Sequence, residues 1–381
     1  MPSSKVALVK TRPETVLDDY ARAMDLADWQ KALPAKHETV LKLNLSWTQY
    51  YPACSSQPWQ LEGVVRKLIA DGRDPATIHA VENKTVVTDP WEGAWNNKWL
   101  PVLQKYGLKF NALPEMEWAV FPFKSPLLKL NEIFPEGIMV PKLYPGRSVL
   151  HLPTVKTHGH STTTGAIKNA FGGLLMEVRH YAHEFMHEVL VDLLYMQKEL
   201  HPGMFAVMDG TVAGDGAGPR TMIPRTMNAV LASSDMVAID AAAAMLMGFD
   251  PMTIPYLRMC HERGLGVADP KDIEIVGEPI ASLAQKFETK KSFVIWGDQL
   301  LRKGALKPFK KLALHSPLMV WAPFASNVYH DFLWYPTIGR QHIREFDKTE
   351  WGRLWATYQR GDRPGKHVYR NTKKWQKHMA H

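Results

Sequence analysis

The sequence predicts an α/β fold built on a mostly parallel, doubly wound sheet, followed by a Trp-rich basic C-terminal extension. Three observations carry this. Short apolar runs of strand length alternate with amphipathic runs of helix length, the order that buries a parallel sheet under helices on both faces. No segment of about 20 to 50 residues repeats and no low-complexity tract occurs, which excludes solenoids and propellers. Across 381 residues, 45% hydrophobic and 22% charged, there is enough apolar side chain for a substantial core, which excludes disorder, collagen and coiled coil as descriptions of the chain.

Thr39 to Leu45 reads as a strand, Leu61 to Asp71 as an amphipathic helix stopped by Gly72, and Ile78 to Val81 as the next strand. Leu100 to Tyr106 is a helix ended by Gly107. Ser148 to Leu152 is a strand, Gly165 to Leu175 a helix, and Glu177 to Leu200 a long helix closed by Pro202. Phe205 to Met208 is a strand ending in Asp209-Gly210, and Asn228 to Ala232 another. Met236 to Gly248 is an Ala-rich helix with Asp235 as its cap, and Ile273 to Val276 closes the pattern. The expected organisation is an N-terminal α/β half over residues 1–150, a second half over 151–285, and a basic aromatic extension over 286–381.

The net charge of +8 is unevenly spread. Residues 286–381 hold 19 Lys and Arg against 7 Asp and Glu, whereas the preceding residues hold 27 against 31. The extension also carries six tryptophans, so its expected roles are packing on the core or on a second copy, or peripheral contact with a membrane or protein through residues 303–340. No recognition motif supports nucleic-acid binding. Cys54 and Cys260 are too few for a disulfide framework or a thiolate metal site. Neither a signal-peptide core nor an apolar run of bilayer length occurs, so a soluble cytoplasmic protein is expected.

In such sheets ligands sit beyond the carboxyl ends of the strands, which directs attention to three polar stretches. The richest runs from Pro153 to Gly173 and contains Lys156, His158, His160, Thr164, Lys168 and Asn169. Its small and hydroxyl residues let backbone amides approach an anion, and its His and Lys side chains offer protons on both sides of neutral pH. Lys42 and Asn44 stand at the end of an earlier strand, where a polar stretch runs on to Pro52. Asp209 to Arg220 follows another with four glycines, leaving Arg220 to clamp a carboxylate or phosphate. That stretch lacks the ending of a phosphate-binding Walker loop. On the next helix His180, His183 and His187 fall within about 60° of one another at helical spacing. His183-Glu184-Phe185-Met186-His187 is a formal HExxH, in which two imidazoles hold zinc and the glutamate acts as base.

Lys42 to Leu45, Pro153 to His158, Thr164 to Gly172, Val207 to Gly210, Gly216 to Pro219 and Leu231 to Ala241 resemble, in order and spacing across roughly residues 38–278, the successive signatures of the family called domain of unknown function 362. Many relatives carry an appended ferredoxin-like domain, whose cysteine motifs are absent here. A more local resemblance, over His158-Gly159-His160 to Lys168 with a histidine beyond, is to the cofactor pocket of lactate racemase. It implies Lys168 as anchor of a nickel-pincer nucleotide, His183 or His187 as nickel ligand, and His158 as acid and base. The chain departs from that pocket in having Thr162-Thr163-Thr164 where glycines are more familiar.

The expected function is therefore an enzyme acting on a small anionic molecule by proton or hydride transfer, isomerase- or racemase-like, with or without a divalent metal (nickel or zinc) or pincer cofactor. His158, His160, Lys168 and Asp209 would be its catalytic groups, and Lys42, Asn44, Lys156, Thr164, Asn169 and Arg220 would hold substrate or cofactor. The alternatives are a metal-dependent hydrolase using His183, Glu184 and His187, and a metal- or nucleotide-binding assembly protein docking through its extension, with a homo-oligomer open in each case.

Overall fold

A computed structural model describes residues 3–85, 88–175, 182, 184–289, 328–367 and 369. Twelve strands are present among them: β1 (Ser4–Lys10), β2 (Thr39–Lys42), β3 (Ile78–Glu82), β4 (Phe110–Ala112), β5 (Trp118–Val120), β6 (Met139–Pro141), β7 (Ser148–His151), β8 (Thr154–His158), β9 (Thr162–Thr163), β10 (Met204–Ala217), β11 (Thr221–Ser233) and β12 (Ile273–Gly277). The helices that matter below are α1 (Val16–Leu26), α2 (Pro58–Ala70), α3 (Trp99–Lys105), α4 (Ala166–Leu174), α5 (Met186–Leu200), α6 (Met236–Leu246), α7 (Pro255–Glu262), α8 (Arg340–Asp347) and α9 (Glu350–Thr357).

The main sheet runs β12-β1-β11-β10-β7-β2-β3-β4, with β8 and β9 branching from β10. Its pairings are parallel except that β11 is antiparallel to both neighbours and β9 to β8. Residues before and after position 150 contribute strands to this one sheet. One apolar cluster packs α4, α5 and α6 on one face, and a second packs α1, α2 and α3 on the other. This two-sided cover explains why β2 reads as an unbroken buried run.

Several element boundaries follow local signals. Gly72 and Gly107 lie directly after α2 and α3 in the left-handed region that halts a helix. Asp235 caps α6 by accepting from the Val237 and Ala238 amides. Two expectations are corrected. The helix expected over 177–200 begins at Met186, with Glu184 and Phe185 in a tighter turn before it. The glycine-rich stretch after Asp209 is no loop: β10 continues to Ala217, turns, and returns as β11. Its glycines allow strands to crowd, since a Cβ on Gly218 would stand 1.9 Å from the Thr157 carbonyl oxygen.

Residues 328–367 of the extension pack back on the core. Trp351 lies against Trp59, Trp355 stacks on Tyr50 at 3.5 Å between ring centres, and Trp334 joins Trp47, Tyr51 and Met222. Lys303 to Lys311 and the aromatic residues Trp321 and Phe324 lie outside the described residues. Among those described, no helix is long and apolar enough to cross a membrane.

Candidate functional site at the reversal of the sheet

From β2 the chain moves outward through β3 to β4, and from β7 it moves the opposite way to β10. The β2–β7 boundary is thus the point where strand order reverses, and open α/β sheets bind ligands outside the carboxyl ends of strands at such a point. Lys42 ends β2 and stands opposite His151, which ends β7; Glu82 ends β3 beside them.

Lys42 and Lys156 are both almost wholly buried, at 2% and 1% exposure. Lys42 Nζ donates to Glu82 Oε1 at 2.8 Å and to the Leu43 carbonyl at 2.5 Å. Lys156, on β8, donates to Asn44 Oδ1 at 2.6 Å, Ser46 Oγ at 3.0 Å and the Cys54 carbonyl at 2.5 Å. All three acceptors are neutral oxygens, and burial pulls the Lys156 ammonium down to about 8. Asn44 Nδ2 reaches Asn169 Oδ1 at 3.3 Å, and Asn169 Nδ2 donates to the Lys42 carbonyl at 3.1 Å and lies 3.3 Å from His151 Nδ1. His151 Nε2 is 2.7 Å from Gln197 Oε1 on α5, and burial depresses His151 to about 3, so it is neutral at pH 7. Among the described residues, this cluster of Lys42, Lys156, Glu82 and neutral His151 holds one surplus positive charge.

Thr154, Lys156 and His158 alternate onto one face of β8. His158 Nδ1 accepts from the His160 and Ser161 amides at 3.1 and 3.3 Å, which places the proton of the neutral ring on Nε2. His160 sits in the turn of the β8–β9 hairpin, with its ring 5.8 Å from that of His158. Thr164 leads out of the hairpin, its amide donating to the Lys156 carbonyl at 3.0 Å. Lys168, on α4, lies 5.7 Å from the centre of the Phe171 ring.

The N-terminus of α4 is occupied by a carboxyl group of the protein itself. Asp240 of α6 accepts from the Ala166 amide at 2.6 Å and the Ile167 amide at 3.2 Å. Burial nonetheless raises its carboxyl to about 8. Gly165 makes this possible, because a Cβ there would lie 2.1 Å from Asp240 Oδ1. The sequence signal for Asp240 was a lone carboxylate in an Ala-rich helix; Glu82 and His151 gave only their places at strand ends.

Asp209 is a correction. It lies inside β10, not in a loop, where Tyr20 of α1 donates to its Oδ1 at 2.6 Å and the Thr211 amide at 3.1 Å. Burial raises its carboxyl to about 6. It joins the sheet to α1. Arg220, also expected in an open loop, lies in the turn of the hairpin 6.0 Å from the Trp47 ring, and Trp47 Nε1 donates to Asp331 Oδ1 at 2.6 Å. Beside it the Tyr51 hydroxyl donates to the Met222 carbonyl at 2.5 Å and meets His342 Nδ1 at 2.7 Å. The extension therefore walls the loop that feeds oxygens to Lys156.

His180 and His183 lie outside the described residues. His187 is in the first turn of α5, its ring near that of Tyr256. Glu184 lies in the tighter turn that runs directly into α5, and His187 in the first turn of that helix. Among the described residues, His, Asp and Glu ligand atoms come within mutual reach of a metal at His261, Asp269 and Asp272, away from this cluster, and there Lys271 Nζ already pairs with Asp269 at 2.9 Å.

A thylakoid-associated protein of Synechocystis sp. is 30% identical over 124 residues, which cover 31% of this chain and 37% of that protein. The match thus spans little more than a third of the relative's length. The model of the family described as "Domain of unknown function (DUF362)" matches residues 39–245, more than half of the chain, and takes in β2, β7, β8, α4 and Asp240 alike. The chain belongs to this family of unknown function.

Proposed function

We propose that the chain is an enzyme that takes a small anionic molecule at the β2–β7 reversal and moves a proton on it, with His158 exchanging the proton. The observation that supports this most is the surplus charge of Lys156. A buried ammonium hydrogen-bonded to neutral oxygens is costly unless an anion completes it. Asn44 and Asn169 supply amide groups beside it, and His158, on the same face of β8, has the proton of its neutral ring on Nε2. A carboxylate or phosphate held by Lys156 would present its neighbouring carbon to that face of β8, the arrangement that isomerases and racemases need.

The test incubates the protein in D2O with a panel of small hydroxy-, keto- and amino-carboxylates and phosphate esters. Deuterium entering a C–H position is followed by proton NMR, and binding by calorimetry. Exchange should disappear in His158→Asn, and binding should weaken at least tenfold in Lys156→Met. Binding should also fall as pH rises through about 8, because the ammonium that holds the anion deprotonates there. Binding that survives Lys156→Met, or exchange that survives His158→Asn, sinks the proposal.

A second reading, attachment to a membrane surface, is favoured by the thylakoid-associated relative and by the exposed apolar side chains of the extension. It is compatible with the first, since the two use different faces.

A further inference from the structure

We infer that the outward face of residues 328–344 is a docking surface for an anionic lipid bilayer, an inference that rests on the membrane reading and gives it a place and a chemistry. Five large hydrophobic side chains are exposed among the described residues, and three of them fall in seven consecutive positions: Phe332 at 72%, Leu333 at 58% and Ile338 at 47%. Single exposed apolar residues are ordinary, but a cluster marks an interaction surface.

The cluster is held outward by its own anchors. Trp334 and His330 are buried, the Tyr335 hydroxyl donates to the Tyr50 carbonyl at 2.8 Å, and Asp331 accepts from Trp47. With those side chains fixed inward, Phe332 and Leu333 have no inward site. The helix that follows, α8, opens with Arg340 and Arg344 one turn apart, both exposed and neither within ion-pair distance of a carboxylate among the described residues. Apolar side chains beside unpaired arginines suit a bilayer whose headgroups are anionic and whose acyl boundary lies a few ångströms deeper.

A second copy of the chain fits less well, because a two-fold contact sets a patch against itself and so doubles its arginines. The bilayer turns the same charges to advantage.

Vesicle flotation of the full chain tests this, comparing phosphatidylcholine vesicles with vesicles containing about one-third phosphatidylglycerol, an anionic headgroup. The wild type should float with the anionic vesicles and much less with the neutral ones. Phe332→Ser with Leu333→Ser should abolish flotation while leaving the thermal midpoint unchanged, since both side chains are already in solvent. Arg340→Gln and Arg344→Gln should each weaken binding about fivefold at low salt and less at high salt. If the wild type floats and the Phe332/Leu333 variant floats equally, membrane attachment stands and this surface is wrong. Absence of flotation by the wild type overturns both. Concentration-dependent self-association that the same double substitution abolishes would show that the occupant is another copy, and would overturn the lipid assignment.

Discussion

Two lysines, one on β2 and one on β8, illustrate how differently a fold can bury the same charge. At the β2–β3 edge Lys42 meets Glu82, so the pair is neutral and its acceptor is built in. At β8 Lys156 meets an amide, a hydroxyl and a carbonyl, so its charge is solvated by dipoles and meets no carboxylate among the described residues. The first arrangement is what stability requires, because a lone buried ion is expensive. The second is tolerated where an incoming anion provides the missing charge, and it stands at the place where the sheet reverses.

The largest test of this contrast is Lys42→Met. It leaves Glu82 buried without its cation and should destabilise the chain by about 3 to 5 kcal/mol in urea unfolding, most of it recovered when Glu82→Gln is added. Little loss in the single variant, or no recovery in the double, would show that the pair is not mutually compensating. A smaller effect is expected from Asp240. Its folded-state carboxyl, raised to about 8, binds protons more readily than in the unfolded chain. Stability should therefore fall as pH rises from about 4 to about 8, and Asp240→Asn should flatten that part of a melting-temperature profile. An unchanged profile would remove Asp240 as the cause. The smallest effect on stability belongs to Lys156→Met, within about 1 kcal/mol of wild type, because it removes an uncompensated charge. A loss as large as that of Lys42→Met would erase the difference between the two lysines.

Much of the architecture was legible. Strand-length apolar runs, the Asp235 cap and the glycine stops of two helices are local signals, and they placed most elements within a few residues. The stretch from Pro153 to Gly173 was legible as a site candidate, and the structure does bring Lys156 and Asn169 together with Lys42 and Asn44. The stretch from Asp209 to Arg220 looked equally promising on the same grounds, glycines and charges after a strand. It became a continuous hairpin, since glycine serves close strand packing as readily as ligand approach, and only the Thr157 carbonyl beside Gly218 shows which use applies. The group that caps the start of α4, Asp240, was not legible locally, because it lies 74 residues on in the sequence.

Local periodicity and turn chemistry determined the α/β class and the alternation of layers, because those depend on neighbours within a few residues. Only the tertiary structure decided what meets each buried ionisable group. Glu82 for Lys42, Tyr20 for Asp209 and the oxygens around Lys156 are all supplied from distant positions. A buried charge is governed by what lies within a few ångströms of it, and the chain brings those partners together only when the sheet has closed.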